Sequence, residues 1–145
     1  SIRSPEGPLG VSTFLDTNIF IYAVSEAPED AAKRRLALKL IEDCEIHLSI
    51  QVVQEFLHTC LRKSRIGLNS SALVQSARWL LTFDCQIPDA SSVMKTLEIQ
   101  KTHGISYWDA AIVVAAAELG CDTLYTEDLN HGQIYNDVRV VNPFL

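Results

Sequence analysis

Short strand-like runs at residues 11–15, 46–50, 85–87, 123–126 and 138–141 alternate with longer segments whose apolar residues recur at helical spacing. Strands separated by helices cannot join through tight hairpins; they pair in parallel through crossovers, and the crossing helices cover both faces of the sheet. The expected fold is therefore α/β, a three-layer sandwich with a mostly parallel central sheet flanked by helices. In such sheets ligands collect beyond the carboxyl ends of the strands, where the strand order reverses.

The intervening segments fill in this outline. Helices are expected at 18–24 and at 29–43, the latter with Leu36, Leu40 and Ile41 on one face and Lys and Arg on the other. A third runs over 51–66 and breaks near Gly67, and Asn69, Ser70 and Ser71 offer N-caps for a fourth reaching 83. Helices at 90–102, stopping at Gly104, and at 106–119, ended by Gly120 and the most apolar of all, complete the set.

With 145 residues one domain is the default, taken as 11–145. Residues 1–10, with two prolines and two glycines, read as a leader or a cloning remnant. No internal repeat or low-complexity segment is present, and 48% hydrophobic against 21% charged residues excludes a disordered chain. A net charge of −6 disfavours a protein held on DNA by a broad basic face. The four cysteines form no CxxC pair, which argues against a thiolate zinc site and fits a reduced, cytoplasmic chain. The best apolar run, 110–117, is far shorter than the roughly 18 residues of a membrane span, and no signal peptide is visible.

The informative residues are acids standing alone. Asp16 is the only Asp, Glu, Lys or Arg between Glu6 and Glu26, Glu55 the only one between Glu45 and Arg62, and Asp109 the only one between Lys101 and Glu118. None has a basic residue at helical i±3 or i±4 spacing, and a buried, unpaired carboxylate costs several kcal/mol or takes up a proton. Each has a structural explanation by itself. Asp16-Thr17-Asn18 suits a turn and N-cap, Ser106-x-x-Asp109 suits a capping box, and Glu55 suits an exposed helix face. Glu127-Asp128 follows a strand, where loop acids are common. Together they differ, because all can converge on one end of the sheet. Two carboxylates about 4 Å apart repel by roughly 4 kcal/mol at an effective dielectric near 20, so four need counter-charge. Clustered carboxylate oxygens without His or Cys partners suit Mg²⁺ or Mn²⁺.

Four strings in this order resemble the PIN domain, and most of all the VapC-like toxins of bacterial and archaeal toxin–antitoxin pairs. They are Phe14-Leu15-Asp16-Thr17-Asn18-Ile19-Phe20-Ile21-Tyr22, Val53-Gln54-Glu55-Phe56, Tyr107-Trp108-Asp109-Ala110-Ala111-Ile112-Val113 and Leu124-Tyr125-Thr126-Glu127-Asp128-Leu129. The resemblance covers about 12–142. It implies that Asp16, Glu55, Asp109 and Asp128 form a catalytic, metal-binding acidic centre, with Asp16 and Asp109 the principal ligands. Thr17, Asn18 and Thr126 would be supporting residues. Many members read Thr-x-Asp-x-Asp-Phe where this chain reads Thr126-Glu127-Asp128-Leu129-Asn130-His131, so Glu127 remains an alternative to Asp128. The implied activity is Mg²⁺- or Mn²⁺-dependent hydrolysis of phosphodiester bonds in single-stranded or loop RNA. A small antitoxin and a homodimer are implied as well, with Ile19, Phe20, Tyr22 and 36–41 as a candidate antitoxin groove or simply core.

RNA would need basic contacts. Arg62, Lys63 and Arg65, at the end of the Glu55 helix, are the candidate phosphate contacts, while Lys33-Arg34-Arg35 reads as a solvated helix face. His58 is expected at the rim of the site. Trp79, Tyr107 and Trp108 could stack bases, but buried core aromatics are the simpler account. The alternative function is a PIN-fold module that binds RNA or protein without cutting. A haloacid-dehalogenase-type phosphatase wants a second acid two residues after the first, where this chain has Asn18, and the late-strand Lys pattern of a response-regulator receiver is missing.

Overall fold

The computed structural model describes residues 12–63 and 66–145. In chain order the elements are β1 (Thr13–Leu15), α1 (Thr17–Val24), a 3-10 turn (Pro28–Asp30), α2 (Ala31–Asp43), β2 (Ile46–Ser49), α3 (Ile50–Arg62) and α4 (Ser70–Leu80). There follow β3 (Asp84–Gln86), α5 (Ala90–His103), α6 (Tyr107–Glu118), β4 (Thr123–Tyr125), β5 (Ile134–Tyr135) and β6 (Val138–Val141). The sheet order is β3-β2-β1-β4-β6-β5, and every pairing is parallel except β5 with β6. The α/β expectation holds.

The order explains the layers. From β1 the chain steps to β2 and β3, then returns across the sheet to β4 on the other side of β1. Right-handed crossovers in opposite directions put their helices on opposite faces. Accordingly α1 packs with α2 and α3, whereas α6 lies against β2, β3, β4 and β6 and carries α5 on its outer side. The β1/β4 boundary is the topological switch point, and both strands end there in acid-bearing loops.

Burial follows composition. All three residues of β1 are buried, as a strand covered on both faces requires. Helix α6 buries Ala110, Ile112, Val113, Val114, Ala115 and Ala116, so it has no amphipathic stripe and runs through the core. Phe14, Leu48 and Leu124 of the sheet meet Ile19, Phe20, Val52 and Phe56 of the first helical layer in that core. No helix among the described residues is long and apolar enough to cross a membrane.

Two features depart from the sequence expectation. The helix expected over 51–66 stops at Arg62, and Ile66 is buried outside it by tertiary packing. The short strand β5 was not anticipated; it pairs with β6 through Asn136 and Asp137, at φ 49° and 70°. Positive φ at both central residues is what a two-residue type I′ hairpin demands, and Asn and Asp tolerate it better than most side chains. The helix termini are built as the sequence suggests: Asn69 accepts from Ala72 N, Ser106 from Asp109 N, and Gly104 closes α5 at φ 66°.

Candidate active site

Asp16 leaves the end of β1 as the N-cap of α1. Its backbone N–H donates to Tyr125 O of β4 at 3.1 Å, and its Oδ1 accepts from Thr17 N at 2.7 Å. Parallel pairing of Leu15 with Tyr125 sets Asp16 beside Thr126, whose fully buried hydroxyl donates to Asp16 Oδ2 at 2.8 Å. Thr126 Oγ1 in turn accepts from Asp128 N (3.0 Å) and from Asn18 Nδ2 (3.2 Å). Asn18 Nδ2 also donates to Asp128 Oδ2 at 3.1 Å, so one amide joins α1 to the loop after β4.

Glu55 arrives from α3. Its Oε1 accepts from the Thr17 hydroxyl at 2.8 Å and its Oε2 from Gln51 Nε2 at 3.1 Å, the same nitrogen lying 3.3 Å from Trp108 O. Asp109 occupies the first turn of α6, half-buried, and its carboxylate accepts no hydrogen bond among the described residues. It flanks Asp128 closely enough to repel its charge. Asp16, Glu55 and Asp128 thus share one network tied through Thr17, Asn18 and Thr126, and Asp109 approaches from the opposite layer.

The electrostatics reflect crowding. Burial raises the Asp16 carboxyl from 3.8 to about 7, against the opposing hydrogen bonds from Thr126 and Thr17 and with further repulsion from Asp128 and Glu55. Asp128 is also raised, first by desolvation of its carboxylate, with Asn18 opposing and Asp109, Glu127 and Glu55 adding repulsion. Among the described residues no Lys or Arg is paired with any of the four acids.

Glu127 has a different occupation. Its Oε2 accepts from Tyr22 OH at 2.6 Å and its Oε1 from Lys33 Nζ at 3.0 Å, while Lys33 also donates to Tyr22 OH at 3.1 Å. The ammonium lies 4.7 Å from the Tyr22 ring centroid, and Phe144 meets Tyr22 edge-on at 5.0 Å. Lys33 is therefore tied into a clamp and is not simply part of the solvated helix face expected for Lys33-Arg34-Arg35. That clamp escapes sequence inspection because its members lie 11 and 94 residues from Lys33.

An open groove of about 420 Å³ runs over the network, lined by Thr17, Asn18, Glu55, His58, Lys63 and Asp128 among others. His58 thus sits at the rim, and Lys63 reaches the groove from the end of α3. Arg62 is exposed at the end of the same helix, and Arg65 lies outside the described residues, as do residues 1–10. Ile19 and Phe20 are buried in the core, although Phe20 and Ile41 also line a small cavity of about 80 Å³ beside Trp79, and Leu36 is 43% exposed. Trp108 is 62% exposed, so it is not the core aromatic the sequence suggested.

A family model for the PIN domain matches residues 13–136. The chain belongs to the PIN domain family. Among solved structures this PIN domain is similar to a toxin–antitoxin complex from Klebsiella pneumoniae (TM-score 0.65, 19% identity, 91% of this chain and 98% of that one). It is also similar to FitAcB from Neisseria gonorrhoeae (0.61, 20%, 91% and 98%). A third is VapC20 of Mycobacterium tuberculosis, described as a sarcin–ricin-loop-cleaving toxin (0.64, 18%, 78% and 87%). At these identities the likeness is one of fold. No curated protein matches by sequence.

Whether the PIN domain's residues suit a hard divalent cation is a question of donors. No three His, Cys, Asp or Glu side chains among the described residues converge into a pre-formed ion site. The donor chemistry nevertheless fits: the converging groups are carboxylate oxygens, Asn18 Oδ1 is buried with no hydrogen-bond partner among the described residues, and burial, with added repulsion from Asp128 and Glu55, holds the Asp16 pKa high.

Proposed function

We propose that this PIN domain is a Mg²⁺- or Mn²⁺-dependent endoribonuclease that hydrolyses phosphodiester bonds of single-stranded or loop RNA, and the toxin of a toxin–antitoxin pair. The observation that carries this reading is the joining of Asp16, Glu55 and Asp128, from three separate segments, in one network at the β1/β4 switch point with no paired Lys or Arg among the described residues.

Asp16 and Asp109 would be the principal holders of the cation, with Glu55 and Asp128 as further oxygen donors. When bound, the metal would supply Lewis acidity for the attacking water and charge stabilisation at the phosphate. The remaining work falls to the chain. Thr17 N and the Thr126 hydroxyl fix both oxygens of Asp16, so its carboxylate needs no reorganisation on binding. Thr17 and Gln51 hold Glu55, and Asn18 aims Asp128 into the groove. Glu55 and Asp128 are the acids left to accept a proton from the attacking water. Glu127 is occupied by Tyr22 and Lys33, which favours Asp128 as the fourth acid. Lys63, lining the groove, and Arg62 beyond it are the phosphate contacts this reading assigns, together with Arg65.

A small antitoxin and self-association as a homodimer belong to the same proposal. The likeness in fold to proteins crystallised in toxin–antitoxin complexes supports the antitoxin, while the homodimer rests on the family resemblance alone. The decisive test is cleavage of a labelled structured RNA with Mg²⁺ or Mn²⁺ by the native chain, Asp16→Asn and Asp109→Asn. Both substitutions are expected to abolish cutting with circular dichroism unchanged; native-like cutting by both would remove the nuclease reading.

A further inference from the structure

We propose that the cavity beside the acids, walled by Trp108, is a nucleobase subsite in which an unpaired base stacks on the indole while the Gln54 amide and the Gln51 carbonyl oxygen meet its edge. The proposal rests on RNA being the substrate, and adds to it a place where the strand is read.

Trp108 immediately precedes Asp109, and 62% of it is exposed. An indole left in water at that level adds little to the core, and single-stranded RNA is characteristically held by aromatic faces of this kind. Tyr107 makes a T-shaped contact with it, centroids 5.0 Å apart and planes at 89°, which steadies the ring while most of the indole stays open to solvent.

The space next to it has the right size and chemistry. The cavity measures about 220 Å³ and is lined by Gln51, Gln54, Pro88, Val93, Trp108 and Ala111 among others, with no charged side chain. That is smaller than the roughly 300–1,000 Å³ of clefts for drug-sized ligands, so one flat heterocycle suits it better than a whole nucleotide. An uncharged, largely apolar wall excludes the phosphate and accepts the base. The Gln54 side chain is exposed and makes no hydrogen bond among the described residues, so its amide is free to pair with a base edge.

The subsite is also physically joined to the acids. Gln51 Nε2 bridges Glu55 Oε2 and Trp108 O at 3.1 and 3.3 Å. A base seated there would have its own phosphate directed toward Glu55 and Asp109. The competing occupant is a second copy of the chain, since Ile87, Val93 and Met94 nearby are 75%, 45% and 65% exposed. The amide pair, and its continuity with the acidic groove, favour the base.

The test is anisotropy of a fluorescein-labelled, eight-nucleotide single-stranded RNA bound to the full chain in Ca²⁺, with the strand checked for integrity. Trp108→Ala is expected to weaken binding about 10-fold or more and Trp108→Phe to restore most of it, as stacking on any aromatic face would. A strand of abasic residues should bind the native chain as poorly as the normal strand binds Trp108→Ala. Equal affinity of native and Trp108→Ala chains for both strands overturns the subsite, even if the native chain cuts RNA in Mn²⁺. Base-dependent binding through Trp108 by a native chain that never cuts upholds the subsite and sinks the nuclease reading instead. In sedimentation, a native dimer that Trp108→Ala converts to monomer, with RNA affinity per chain unchanged, assigns this face to self-association and overturns the proposal.

Discussion

Replacing Asp16 by Asn should stabilise the metal-free protein at alkaline pH, by an amount that the site's crowding sets. The carboxyl titrates at 3.8 when unperturbed and at about 7 in the folded chain, where it is 5% exposed. A raised folded pKa means that the native state binds the proton more tightly than the unfolded state. Stability is thus greatest below the unfolded value, falls as pH rises through the window from 3.8 to about 7, and is flat above it. At about 1.4 kcal/mol per unit, the full penalty above that window is about 4 kcal/mol. Asparagine keeps the acceptor for Thr17 N but disturbs the Thr126 hydroxyl, at a cost of about 1 kcal/mol. The variant should therefore be about 0.5 kcal/mol less stable than native at pH 4 and about 3 kcal/mol more stable at pH 8.5, the latter a rise in Tm of about 6–12 °C. Thermal unfolding by circular dichroism in metal-free buffer across that range reads this difference, since titrating groups away from Asp128 and Glu55 cancel between the chains. A difference independent of pH would refute the burial and repulsion assigned to Asp16.

The same logic separates the neighbouring acids. Asp128→Asn should cut RNA cleavage with little loss of Tm, whereas Glu127→Gln, which weakens the clamp to Lys33 and Tyr22, should lower stability by about 1 kcal/mol and leave most cleavage; the opposite pattern would make Glu127 the fourth acid. Neutralising Arg62 and Lys63 together should flatten the dependence of log affinity on log salt for a single strand by about 1.4, at about 0.7 per charge, and an unchanged slope would exclude them as phosphate contacts. Asp137→Gly, at φ 70° in the β5–β6 turn, should raise stability by up to about 1 kcal/mol in urea denaturation, while a fall would mean the Asp side chain contributes more than its backbone strain costs.

What could be read from residues alone divides along a physical line. Local chemistry was legible: the short strand ending at Leu15, the caps at Asn69 and Ser106, the left-handed stop at Gly104, and the alternation that makes the sheet parallel. Charge isolation singled out Asp16, Glu55 and Asp109 before any geometry. Hidden were the features that depend on register and on where helices end. Thr126 bonds Asp16 across 110 residues only because Leu15 pairs with Tyr125 and not with a residue one step away. A one-residue slip would exchange the roles of Glu127 and Asp128, which is why their assignment could not be made from spacing. β5 escaped because two residues leave no periodicity to detect, and its Asn-Asp turn lacks the glycine that usually announces such a hairpin. Trp108 misled for the converse reason. Its neighbours belong to the most apolar helix of the chain, yet it stands in the first turn, where α6 emerges from the core toward the acids. The position that made it look like core is what puts an exposed aromatic face beside Asp109.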